Sequence, residues 1–151
     1  MAMIEGELFI DRPPEDVFDV VADERNEPRY NPRMTSVSMI SDPPIGSGTR
    51  FAATMKSRVR TFTMMIEFTD YVRPIRLGSV STVGAMRTVG ALTFEPRGSG
   101  TLMRWSWNVE LRGVMRLATP VVSWMGRRQE RAIWTRLQSL LEATGPTTAT
   151  T

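Results

Sequence analysis

The side chains able to transfer protons in this chain are carboxylates, tyrosines and basic groups, because its 151 residues include no His and no Cys. This composition excludes disulfides, zinc–thiolate sites, haem–His ligation, cysteine nucleophiles and every His-dependent triad. A general acid or base acting on a carbonyl or hydroxyl would have to be Asp, Glu, Tyr, Arg or Lys56, the one lysine. Any reaction that depends on such a general acid or base would have to use one of these groups.

Two clusters of such residues could contribute chemistry, and we favour a structural interpretation of both. Asp70 and Tyr71 are adjacent, so on a strand their side chains point to opposite faces and do not share one cavity unless a bulge intervenes. Asp23, Glu24 and Glu27 carry oxygen ligands suited to a hard metal ion, but we expect ordinary surface charges on a short helix. We therefore predict no metal site and no cofactor, and we assign no catalytic residue.

The basic charge comes from eighteen Arg and one Lys and is unevenly distributed. Residues 1–30 hold nine acids and three Arg, a net charge of −6, whereas the remainder carries +9, which gives +3 overall. This modest excess favours a basic face beside an acidic one, so we expect no nucleic-acid partner. Residues 127–131, Arg-Arg-Gln-Glu-Arg, are expected on an exposed helix face that would suit a transient contact with an anionic membrane.

The elements that must position these groups begin with a strand and one or two short helices. Ile4, Leu8 and Ile10 alternate with acidic residues, a pattern typical of a half-buried strand. Pro13 and Pro14 then favour the start of a helix that continues to residue 22. A short helical turn is predicted over residues 24–30.

Successive strands and one long helix follow. From residue 37 to 113 apolar and polar residues alternate, most clearly at Phe62, Met64, Ile66 and Phe68, and short loops favour antiparallel pairing. Residues 120–143 have the apolar spacing of one helix about 36 Å long. Its predicted apolar stripe consists of Val121, Met125, Ile133, Leu137, Leu140 and Leu141. Gly126 interrupts this helix, either for a close approach or for a bend.

These elements predict an α+β domain in which a curved antiparallel sheet of about six to seven strands grips a long C-terminal helix. One or two short helices follow the first strand. An apolar sheet face must be covered, and a single helix leaves space for a small ligand. We predict one domain over residues 1–144 and a disordered Thr-rich tail over residues 145–151.

Residues 10–23, IDRPPEDVFDVVAD, followed by EPRYNP at residues 27–32, resemble the opening of the polyketide cyclase/dehydrase and lipid-transport family. That family belongs to the START-like superfamily, whose helix-grip fold is shared with birch-pollen-allergen-type proteins. Residues 67–71, 94–101 and 137–142 fall where the family has similar elements. The resemblance implies a deep, mostly apolar cavity between sheet and long helix that binds lipids, sterols, polyketides or plant-hormone-like molecules. Some members of the family are aromatase/cyclases.

Aromatic and methionine side chains are predicted to form the wall of this cavity, and Tyr30 stands where family members often carry Trp. Methionine is flexible and polarizable, so such a wall adapts to different apolar molecules. The predicted ligand-binding residues are Tyr30, Phe51, Met55, Met64, Phe68, Tyr71, Met86, Trp105, Trp107 and Met125.

Three hypotheses for function remain open. The leading one is a non-catalytic domain that binds or carries a hydrophobic, lipid- or polyketide-like molecule. The second is a polyketide cyclase or dehydratase that uses Tyr30, Tyr71 or carboxylate chemistry. The third is a membrane- or partner-interaction protein that works through its basic C-terminal helix. We expect no signal peptide, no membrane-spanning segment and a cytoplasmic location, whereas ligand identity and oligomeric state are not predicted.

Overall fold

The computed structural model describes residues 2–144, in which seven antiparallel strands form one curved sheet. The spatial order is β1-β7-β6-β5-β4-β3-β2, so the first strand pairs with the last and every other strand pairs with its sequence neighbour. The strands are β1 (Ala2–Ile10), β2 (Met34–Met39), β3 (Arg50–Lys56), β4 (Thr61–Val72), β5 (Arg76–Val83), β6 (Met86–Arg97) and β7 (Gly100–Leu111). The predicted α+β helix-grip architecture is confirmed. The predicted disordered tail, residues 145–151, lies outside the described residues.

Four helical segments complete the fold: α1 (Pro14–Val21), a 3-10 turn (Glu24–Arg29), a second 3-10 turn (Gly113–Ala118) and the long helix α2 (Thr119–Thr144). Pro14 occupies the first position of α1, where a backbone N–H has no intrahelical partner, and Glu15 and Asp16 complement the positive end of the helix. Asp23 accepts a hydrogen bond from the Arg25 backbone N–H and so begins the first 3-10 turn. Within residues 2–144 no helix combines the length and apolar composition needed to cross a membrane.

The C-terminal half of α2 is its buried half. Ile133, Trp134, Leu137 and Leu141 are buried, whereas Val121 is 59% exposed. The prediction of buried residues is therefore correct near the end of the helix and wrong at its start. Trp134, which was not part of the predicted stripe, belongs to the core. The last turn is anchored by Arg12, a buried guanidinium that donates to the Leu141 carbonyl oxygen at 2.8 Å.

Gly126 permits a close approach between α2 and β1. A Cβ atom at this position would collide with the Cδ1 atom of Ile4. Of the two roles considered for this glycine, the structure favours the approach of a neighbouring side chain. Gly6 on β1 likewise permits close packing, because a Cβ atom there would collide with the ring of Trp105.

The concave face of the sheet is divided into a filled end and an open end. Beneath α1, the Phe18 ring makes edge contacts with Tyr71 at 5.1 Å and Phe94 at 5.3 Å between centroids. Phe51 and Phe68 pack at 5.4 Å in the same aromatic core. The other end, beneath the first half of α2, holds the cavity described next.

Candidate ligand cavity

A cavity of about 380 Å³ lies between the sheet, the first 3-10 turn and α2. This volume falls within the usual range for small-molecule sites. Its apolar wall comes from alternate, inward-facing positions of the central strands, where period-two alternation places every second side chain on one face. The predicted residues that line it are Tyr30, Met55, Met64, Met86, Trp107 and Met125.

The other four predicted residues lie elsewhere on the same side of the sheet. Phe51 and Phe68 are 0% and 1% exposed and, with Tyr71, belong to the aromatic core beneath α1. Trp105 is covered by α2, where its ring lies 6.3 Å from that of Trp134. Strand alternation places Phe51, Phe68 and Trp105 on the correct face, whereas a β-bulge between Phe68 and Asp70 turns Tyr71 inward. The position along the strand then decides whether a residue meets the cavity.

One end of the cavity is polar and acidic, which the sequence did not lead us to expect. Glu24, Glu27, Tyr30 and Glu130 all line it. Glu24 is only 9% exposed, so its interpretation as a surface charge is wrong. Its Oε2 atom receives no hydrogen bond from a donor group among the described residues. Glu27 accepts a hydrogen bond from the Asn31 side-chain amide at 2.9 Å.

Glu130 is held by two indole groups. Its Oε2 atom accepts hydrogen bonds from Trp134 Nε1 at 2.8 Å and from Trp107 Nε1 at 3.1 Å. Burial raises the pKa of Glu130 from 4.5 to about 7, against the opposing effect of the Trp134 hydrogen bond. Near neutral pH this carboxyl group therefore exchanges readily between its protonated and ionised forms.

The acidic end of the cavity contains several carboxyl groups whose negative charges are little compensated by cations. Burial raises the pKa of Glu24 well above its ordinary value, and repulsion from the Glu27 carboxylate and a side-chain hydrogen bond with Glu27 add to the effect. Burial and the same carboxylates also raise the pKa of the Tyr30 hydroxyl. Within residues 2–144 no salt bridge involves Glu24, Glu27 or Glu130.

A larger depression, of about 600 Å³, lies on the outer face of the sheet. Its lining includes Glu5, Glu7, Arg76 and Arg104, and Arg104 forms ion pairs with Glu7 at 3.0 Å and Glu95 at 2.8 Å. Exposed charges that already pair with one another offer little to an apolar ligand. In the described part of the chain no group of three or more acidic residues is arranged to hold a metal ion.

The family model described as "Polyketide cyclase / dehydrase and lipid transport" matches residues 1–142 of this chain. No curated protein shows significant sequence similarity to it. The family predicted from the opening residues is thus confirmed by a match over almost the whole sequence.

Solved structures with this fold share little sequence with the chain. A START superfamily protein from Mycobacterium smegmatis has a TM-score of 0.82 at 12% identity, covering 95% of this chain and 99% of that one. The Zhui aromatase/cyclase from Streptomyces sp. R1128 has a TM-score of 0.81 at 12% identity, covering 99% and 98%. Ara h 8.0201 has a TM-score of 0.76 at 15% identity, covering 93% and 97%. At these identities the likeness concerns the fold alone.

Proposed function

We propose that this chain, which belongs to the polyketide cyclase/dehydrase and lipid transport family, binds and carries a hydrophobic small molecule between its sheet and α2. The observation that supports this function is the cavity of about 380 Å³ with a methionine- and aromatic-rich wall. Methionine side chains such as Met55, Met64 and Met86 adapt to ligands of different shape, which suits a carrier. Removal of apolar ligand surface from water would supply most of the binding free energy.

Neighbouring residues of β4 provide a matched test. Met64 lines the cavity, whereas Met65 points to the outer face and is 39% exposed. We expect N-phenyl-1-naphthylamine, an uncharged apolar fluorophore, to bind the wild type saturably. Met64→Trp should fill the cavity and weaken its binding at least tenfold, whereas Met65→Trp should change the affinity less than twofold. Equal affinities in the two variants, or no saturable binding by the wild type, would rule out this function.

A second candidate function, cyclisation or dehydration of a polyketide, is favoured by Glu130. A buried carboxyl group with a pKa of about 7 is suited to general acid–base catalysis near neutral pH. With a poly-β-ketone mimic, the wild type should form cyclised product faster than buffer, and Glu130→Gln should abolish the acceleration. Product formation at the buffer rate between pH 5 and 9 would contradict catalysis and leave the carrier function in place.

Loading of such a carrier from a membrane is a further part of the proposal. Val114 and Leu117 are 84% and 87% exposed in the turn before α2, and exposed Trp124 is followed by Arg127 and Arg128 on α2 itself. Apolar side chains flanked by arginines suit an anionic lipid surface. Co-sedimentation with phosphatidylglycerol vesicles should exceed that with phosphatidylcholine vesicles and weaken in high salt. Arg127→Glu/Arg128→Glu should reduce it, and indifference to both salt and charge reversal would exclude membrane contact.

A further inference from the structure

We infer that the apolar ligand carries a protonated amine, which binds among the carboxyl groups of Glu24, Glu27 and Glu130 at the acidic end of the cavity. This inference rests on the proposed binding function and specifies the chemistry of the ligand. The acidic end is defined by these three glutamates together with Tyr30, and all four residues line the cavity.

Glu24 is the residue that points most directly to a missing partner. The residue is only 9% exposed and belongs to the lining of the cavity, and its buried Oε2 atom receives no hydrogen bond from a donor group among residues 2–144. A buried carboxylate oxygen without a donor is costly, by about 1–3 kcal/mol or more for a charged group. An ammonium group in the cavity would supply the missing donor.

The carboxyl groups of Glu27 and Glu130 also have oxygen atoms with unused acceptor positions. Both indole N–H groups converge on Glu130 Oε2, and no described residue donates a hydrogen bond to its Oε1. Glu27 receives one donor, the Asn31 amide, at Oε1. An ammonium carries three N–H donors, so one group can serve several of these oxygens at once.

The charges around this end favour a cation over other polar groups. Asp23 adds a fourth acid, although Arg25 pairs with it at 2.8 Å. Arg33 and Lys56 also line the cavity, yet neither forms a salt bridge with Glu24 or Glu130, and Arg33 donates to Gln129 instead. An alkyl carboxylate would meet repulsion here, and an alcohol would gain a hydrogen bond but no ion pair.

Three ten-carbon probes that differ only in the polar end test this directly. Decylamine, decanol and decanoate should each displace N-phenyl-1-naphthylamine from the wild type at pH 7.5. We expect decylamine to bind at least tenfold more tightly than decanol, and decanoate to bind most weakly. Displacement by all three with decylamine no better than decanol would overturn the amine preference while sustaining the carrier function. Absence of fluorophore binding would instead refute the carrier function itself.

Two further measurements connect the preference with the glutamates. Glu24→Gln/Glu130→Gln should reduce the advantage of decylamine over decanol to less than threefold, whereas Glu67→Gln, an exposed substitution on β4, should preserve it. In the wild type, lowering the pH from 7.5 to 5 should weaken decylamine binding and leave decanol binding unchanged, because Glu24 and Glu130, whose carboxyl groups have raised pKa values, become neutral while the amine stays charged. A pH-independent preference, or one that survives the double substitution, would contradict the inference.

Discussion

Replacement of Glu130 by Gln should remove a large part of the pH dependence of folding stability between about pH 4.5 and pH 7. In the folded protein the carboxyl group lies in the cavity with a pKa of about 7, whereas in the unfolded chain it returns to its ordinary value near 4.5. The folded state therefore binds the proton more tightly than the unfolded state. The stabilisation of the folded state by this bound proton is fully present below pH 4.5 and is lost as the pH rises through 7.

The size of the effect follows from the difference between the two pKa values. One pKa unit corresponds to about 1.4 kcal/mol, so a rise from 4.5 to about 7 lowers the free energy of unfolding by about 3 kcal/mol at alkaline pH. The amide introduced by Glu130→Gln would keep an oxygen acceptor for one indole without carrying a charge. This variant should thus gain stability relative to the wild type as the pH rises, by up to about 3 kcal/mol at pH 8.

Urea unfolding of both proteins at pH 4.5, 6, 7 and 8 measures this difference. Glu24 has a raised pKa of the same sign and Glu27 and Tyr30 lie beside it, but all three are present in both proteins and cancel to first order. Asp19, whose pKa is lowered by Arg73, acts in the opposite direction and only at more acidic pH. A stability difference that stays constant from pH 4.5 to 8, or that shrinks as the pH rises, would refute the burial of the Glu130 carboxyl group.

Three further predictions concern packing and anchoring. Gly126→Ala should lower the free energy of unfolding by about 1 kcal/mol, because the collision with Ile4 outweighs the gain in helix propensity. Ile4→Val should be less harmful in the Gly126→Ala background than in the wild type, and strictly additive effects in urea unfolding would contradict the close approach. Arg12→Lys should lower the free energy of unfolding by about 2 kcal/mol, because the buried guanidinium group connects α1 with the end of α2. Arg104→Lys, at an exposed position, should lower it by less than about 0.5 kcal/mol, and similar losses in the two variants would refute the anchoring role of Arg12. Tyr71→Phe should change the affinity for N-phenyl-1-naphthylamine less than twofold, and a tenfold loss would mean that the cavity reaches the aromatic core.

The fold could be predicted because its signals are local and repeated. Inward-facing Phe62, Met64, Ile66 and Phe68 alternate with polar or outward residues along β4, and the structure places all four on the concave face. The prolines before α1 and the apolar spacing of residues 120–143 identify the helices in the same way. Each signal depends on neighbours within one turn or one strand, so no tertiary information is needed to interpret it.

The division of the concave face could not be predicted from such signals. Phe51 and Met55 belong to one strand and one face, yet the first packs in the aromatic core and the second lines the cavity. What separates them is the location of α1, which covers only one end of the sheet and packs Phe18 between Tyr71 and Phe94. Alternation carries no information about which helix covers which part of a strand.

The acidic end was missed for a different reason, because charged residues were assigned to the surface by type. Helical periodicity contains the contrary signal: Glu130 lies four residues after Gly126 and four before Trp134, on the stripe that continues through Leu137. A carboxyl group on a buried stripe weakens folding unless it is paired, and here its pairing is with two indoles and no cation. The burial of Glu130, which lowers folding stability, and the Glu24 oxygen that lacks a donor thus have one cause: carboxyl groups are gathered at one end of the cavity. A positively charged ligand would pair with these groups.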